Sequence, residues 1–104
     1  MTILDEAKKI VEGDRRNEYG QASECFSTIA AMWSGFLGVE LTEYDVASMM
    51  IMLKLVRAKG KGFQRDSFVD VAGYAYCTEI IAREIEEKEE HCLGTGTTRA
   101  YCAD

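Results

Sequence analysis

The chain of 104 residues contains no proline, no Cys-x-x-Cys pair and no internal repeat. It also lacks any run of strict apolar–polar alternation, so nothing in it reads as a half-buried strand. The longest stretch without a charge, residues 25–39, is interrupted by Ser, Thr and Gly and is too short and polar to span a membrane. Acids stand at positions 5 and 6, where a secretory signal would carry positive charge, so export is not expected and a cytoplasmic location is. Positive charge is in deficit: 12 Lys and Arg against 18 Asp and Glu give a net charge of −6. Coating DNA or RNA calls for a basic surface and is excluded on that ground. A small phosphorylated ligand is not, since a few local Lys and Arg can hold one.

What is present is ordinary for one globular domain: 47% hydrophobic and 29% charged residues. Of the four cysteines, Cys25 and Cys77 fall within apolar helical patterns and read as small buried hydrophobes in a reducing compartment. His91, Cys92 and Cys102 could supply three metal ligands, but their spacing matches no standard zinc pattern.

Glycine punctuates the chain, and four helices follow from the periodicity. The first covers Thr2 to Glu12, with Thr2 as N-cap and Ile3, Ala7, Ile10 and Val11 on one face. A polar link, Gly13 to Gly20, follows. The second helix runs from about Gln21 to Leu37, its stripe made by Phe26, Ile29, Ala30, Trp33, Phe36 and Leu37. The third opens on Thr42-Glu43-Tyr44-Asp45, a capping-box pattern with Asp in place of Glu, and reaches about Lys59. It is apolar nearly all round from Val46 to Val56, which suits the middle of a bundle or of a homo-oligomer. The fourth starts at Asp66 or Ser67 and continues to about Glu89, with Phe68, Val69, Ala72, Tyr76 and Ile80 on one face. The expected architecture is an all-α four-helix bundle over residues 1–90, with Phe26, Trp33 and Phe36 as its large core pieces. Residues 91–104, which include Gly94-Thr95-Gly96, are expected to form a flexible C-terminal tail.

Two groups of polar residues stand beside these apolar helices. Asp66 and Asp70 are one helical turn apart, close enough to share a divalent cation. Lys54 and Arg57 are three apart near the end of the third helix. The four residues can form ion pairs across the helix hairpin, or they can hold Mg²⁺ and phosphate, the two needs of a nucleotide site. The second group lies around Arg16-Asn17-Glu18-Tyr19-Gly20. There Arg16 offers charge, Tyr19 a stacking surface, and the following helix start its free N–H groups as an anion site. An ordinary polar loop satisfies the same residues.

The ordered series Arg16-Asn17-Glu18-Tyr19-Gly20, Trp33-Ser34, Asp45-Val46-Ala47, Met49-Met50, Leu53-Lys54, Arg57, Asp66-Ser67, Val69-Asp70 and Ala72-Gly73-Tyr74-Ala75 resembles a family of small phage and prophage proteins of unassigned function. That family is similar to phage nucleotide-modification-associated domains. More distantly it resembles MazG-type all-α nucleoside triphosphate pyrophosphohydrolases, which are helical oligomers that use Mg²⁺. The resemblance implies a MazG-like bundle, a nucleotide or other small phosphorylated ligand, Mg²⁺ on Asp66 and Asp70, and Arg16, Tyr19, Lys54 and Arg57 as ligand contacts. It also implies a homo-oligomer, in the host cytoplasm if the chain is phage-encoded. The Glu-Glu-x-x-Glu cluster of MazG-type enzymes has no counterpart, because no acid lies between Asp45 and Lys59. That absence weights binding over hydrolysis. Three functions follow: a Mg²⁺-dependent nucleotide phosphohydrolase, a non-catalytic protein that sequesters a nucleotide against host defence, or a structural or interaction protein.

Overall fold

A computed structural model describes the backbone of residues 1–95 and the side chains through Glu89, apart from those of Asp14, Asn17 and Tyr19. Among the described residues every regular element is helical. The first arm consists of α1 (Ile3–Lys9), a π-helical segment (Ile10–Arg15) and α2 (Arg16–Tyr19). Then come α3 (Ala22–Leu37), α4 (Glu43–Ala58) and α5 (Arg65–Thr95). None of the described helices is long and apolar enough to cross a membrane.

The starts of α1 and α4 are built alike. Thr2 Oγ1 accepts from the Asp5 N–H at 3.1 Å while the Asp5 carboxylate accepts from the Thr2 N–H. Thr42 and Asp45 exchange the same two bonds at 3.2 and 2.9 Å. Each box satisfies donors that the helix start would otherwise leave unpaired. At the end of α3, Gly38 takes a left-handed conformation (φ 73°) and donates its N–H to the Ser34 carbonyl. A side chain at that φ would be strained, so glycine sets the boundary.

The expected polar link over residues 13–20 is instead helical as far as Tyr19. Gly13 in a helix costs about 1 kcal/mol relative to Ala, which weakens but does not break it. The ladder widens into a π turn there, and the charged side chains of Glu12, Arg15, Arg16 and Glu18 stay exposed. At the other end α5 outruns its expected limit near Glu89 and reaches Thr95. Its Glu-rich stretch is made of good helix formers, and no proline stops it. At 1.5 Å per residue its 31 residues span about 46 Å. The side chains of His91, Cys92 and Cys102, and residues 96–104 of the tail expected over 91–104, lie outside the described residues.

The long helix α5 is the spine. Its most extensive packing is against α4, α1 lies along it, and α3 rests on both α4 and α5. The core is small: Phe26 and Ala30 of α3, Val46 and Ala47 of α4 and Ile81 of α5, with Trp33, Met50, Tyr74 and Ile85 partly buried against it. Phe36 does not join it and stands 89% exposed. It lies about 80° round the helix from Phe26, at the edge of the apolar stripe. The helix that reads as apolar all round is likewise covered on one side only: Val46 and Ala47 are fully buried, whereas Met52, Leu53, Leu55 and Val56 are exposed.

Candidate functional site

An open cleft of about 510 Å³ lies where the π segment, α3, α4 and α5 approach one another. That volume is within the range of small-molecule sites, roughly 300–1,000 Å³. Its walls are mostly apolar, with Ile10 and Val11 on one side, Phe26 and Ile29 on another, and Val69, Tyr74 and Ile80 along α5. Gly73 on α5 makes the approach of the first arm possible. A Cβ at this buried position would already meet Val11 Cγ2 at 3.5 Å, and any longer side chain would reach into the space Val11 occupies. Phe26 and Tyr74 tilt against each other across the cleft, ring centroids 6.4 Å apart.

Charge is balanced around this apolar lining, with Arg15, Arg16 and Arg83 against Glu12, Asp70 and Glu84. Several of these groups have partners. Tyr76 donates its hydroxyl proton to the Glu12 carboxylate, and this bond, ahead of burial, raises the Tyr76 phenol above its usual range. Arg83 pairs with Glu79 one turn earlier on α5, at 3.3 Å on an exposed face. Cys25 and Cys77 are free, half-buried thiols on facing walls. Burial first, then the neighbouring Cys25 and Glu84, pushes the Cys77 thiol up to about 11. It is therefore a poor nucleophile at neutral pH.

The start of α3 holds an anion, but the anion is the protein's own. Glu84 Oε1 accepts from the Ser23 N–H at 2.8 Å. Gln21, the N-cap residue, supplies no side-chain bond there. The positive end of the α3 dipole is therefore met by a carboxylate brought in from α5. The site expected to receive a phosphate after Gly20 is occupied by Glu84.

Of the residues expected to bind ligand or metal, Arg16 and Asp70 line the cleft. Tyr19 ends α2, and its side chain lies outside the described residues. Lys54 bridges Asp70 at 3.0 Å, half-buried between α4 and α5. Arg57 and Asp66 are exposed at the end of α4 and the start of α5, and among the described residues no ion pair joins them. The hairpin ion-pair reading thus holds for one pair of the two. Asp66 and Asp70 fit Mg²⁺ poorly: one is neutralised by an ammonium, and no group of three His, Cys, Asp or Glu among the described residues could hold a metal.

Arg83 and Glu84 have no place in the sequence reading, and Tyr74 enters it only within the series that carries the family resemblance. A signal for two of them exists, because Arg83 and Glu84 interrupt the apolar run between Ile81 and Ile85. Ser23 offers another, a polar residue 3% exposed whose hydroxyl has no partner among the described residues.

Two curated relatives are similar to this chain, each named "Gene 55 protein". That of Mycobacterium phage D29 is 47% identical over 88 residues, covering 85% of this chain and 58% of the relative. That of Mycobacterium phage L5 is 46% identical over 95 residues, covering 90% and 60%. The chain therefore spans less than two thirds of the length of either. No solved structure matches it. The likeness to small phage proteins of unassigned function holds in these relatives. A family model, "Domain of unknown function (DUF6378)", matches residues 2–82, and the chain belongs to that family.

Proposed function

We propose that this chain is a binding protein that holds a nucleotide, or another small ligand with a ring and an anionic group, in the cleft between the first arm, α3 and α5. The observation that carries the reading is the pairing of an apolar, aromatic-walled cavity of about 510 Å³ with three arginines on its lining. The ring would lie against Phe26, Ile29 and Tyr74, and Arg16 would reach the anion from the exposed end of the first arm. Arginine suits that role because its planar fork matches phosphate oxygens. The resemblance to phage nucleotide-modification-associated domains supports the same ligand class.

Binding is favoured over hydrolysis. The carboxylate of Asp70 is tied to Lys54, and Asp66 stands exposed one turn away. Two such carboxylates do not make the cluster a MazG-type hydrolase uses. Lys54 and Arg57 lie off the cleft lining, and the ligand contacts centre on Arg16 instead.

The test is one incubation series of the chain with mono-, di-, tri- and cyclic nucleotides, with and without Mg²⁺, read by ion-exchange chromatography before and after heating the protein. A nucleotide peak that vanishes and returns intact on heating supports sequestration in the cleft. Arg16→Ala should then reduce capture at least tenfold, the scale of one charge-assisted contact. New product peaks would replace binding with hydrolysis. No change with any nucleotide would remove the reading.

A further inference from the structure

The outer face of α4 points to a second copy of this chain. We propose that two copies pair through it, antiparallel, about a two-fold axis near Met52. Positions 45, 49, 52, 56 and 59 are spaced by four, three, four and three residues, the a/d spacing that keeps one seam on one side of a helix. The seam reads Asp45, Met49, Met52, Val56, Lys59: apolar in the middle, acidic at one end and basic at the other. Met52 and Val56 are 55% and 69% exposed, and the exposed Leu53 and Leu55 flank the seam on either side. Nothing among the described residues covers these side chains.

Charge decides the orientation. Antiparallel pairing centred on Met52 sets Asp45 against the partner's Lys59 at both ends. Parallel pairing would set acid on acid and base on base. The matched ends also offset part of the repulsion between two chains that each carry a net charge of −6. The same orientation brings the exposed Phe63, in the loop after α4, alongside the partner's chain entering α4, where Val39 is also exposed.

Area supports the pairing. Fully exposed side chains of this size present on the order of 150–200 Å² each, and at 41–70% exposure Val39, Met52, Leu53, Leu55, Val56 and Phe63 offer roughly 600 Å² of apolar surface per copy. A pair would bury about 1,200 Å², above the roughly 1,000 Å² a specific interface needs and below the 2,000 Å² typical of obligate dimers. An interface of that size suits a reversible dimer rather than a permanent one. None of the seam residues lines the cleft, so the inference stands apart from the ligand reading.

Sedimentation velocity from about 1 to 100 µM brackets a micromolar dissociation constant. Unmodified chain should shift from 11.6 kDa towards twice that mass across the range. Met52→Glu sets two carboxylates face to face at the axis and should weaken association at least tenfold. Ser27→Glu, at an exposed polar position of α3, should leave it unchanged. Circular dichroism checks that both variants keep their helices. Should Met52→Glu fail to fold, Met52→Cys decides: a disulfide mapped between the two introduced thiols supports the axis, and its absence under oxidation overturns it. A monomer at every concentration, or a dimer indifferent to Met52→Glu, also overturns the proposal.

Discussion

Glu84 carries a charge into a half-buried position on α5 for one visible purpose, to cap a helix 61 positions earlier in the chain. With no side-chain bond from Gln21, the Ser23 N–H depends on this carboxylate at 2.8 Å. A hydrogen bond to a charged group contributes about 1.5–3 kcal/mol, and the helix dipole adds roughly 0.3–1 kcal/mol. Glu84→Ala removes both contributions and leaves a part-buried donor unpaired, for an expected loss of about 2 kcal/mol. Glu84→Gln keeps an acceptor and loses the charge, for about half that. In a domain of this size each kcal/mol moves the melting temperature by roughly 4–8 °C, so the alanine variant should melt about 8–16 °C lower. Ser23→Ala should move the other way. It removes a buried hydroxyl that has no partner among the described residues and substitutes a better helix former, for a gain of about 0.5–1 kcal/mol. Thermal unfolding followed by far-UV circular dichroism reads all three. An alanine variant within 0.5 kcal/mol of the unmodified chain, or a destabilised Ser23→Ala, would mean that α5 does not present Glu84 to α3 in this register.

Three further outcomes follow from the packing. Gly73→Ala adds a Cβ at ordinary contact distance from Val11 and removes a helical glycine, so it should stabilise by about 1 kcal/mol; Gly73→Leu should instead push the first arm off α5, and equal melting temperatures for the two would contradict that close approach. Lys54→Met and Asp70→Asn should each cost about 1 kcal/mol, yet together cost little more than one of them, because the 3.0 Å bridge is shared; additive losses in urea unfolding would show no coupling. The raised Cys77 thiol gives a pH signature. Its stabilising contribution is complete below the ordinary thiol value of 9.0 and is lost as pH rises towards about 11, where the folded state must accept a thiolate. The melting temperature should therefore fall across that window, Cys77→Ser should flatten the fall, and an unchanged slope would assign it to other groups.

Sequence periodicity recovers the elements better than their partners, and α4 shows why. The Thr42–Asp45 box is local chemistry, decided within one helical turn, and was legible from the residues alone. The helical run from Gly13 to Tyr19 was not, because one glycine and a cluster of charges disfavour a helix without forbidding it. At the site, Arg16 and Asp70 could be picked out as charges beside apolar faces, whereas the Glu84–Ser23 contact joins residues whose spacing no periodicity encodes. Apolar pattern also records that a face avoids water without recording what covers it. Phe36 was read as core because it continues the stripe of Phe26 and Trp33, and it stands 89% exposed. Met52 and Val56 follow the same logic on α4, with Asp45 and Lys59 closing the seam at either end. A chain whose buried hydrophobic set, among the described residues, is half alanine has few large side chains with which to hold itself together. The apolar side chains missing from that core lie in part on the outer face of α4, and this is the physical case for a second copy there: the pairing supplies burial that the single chain lacks.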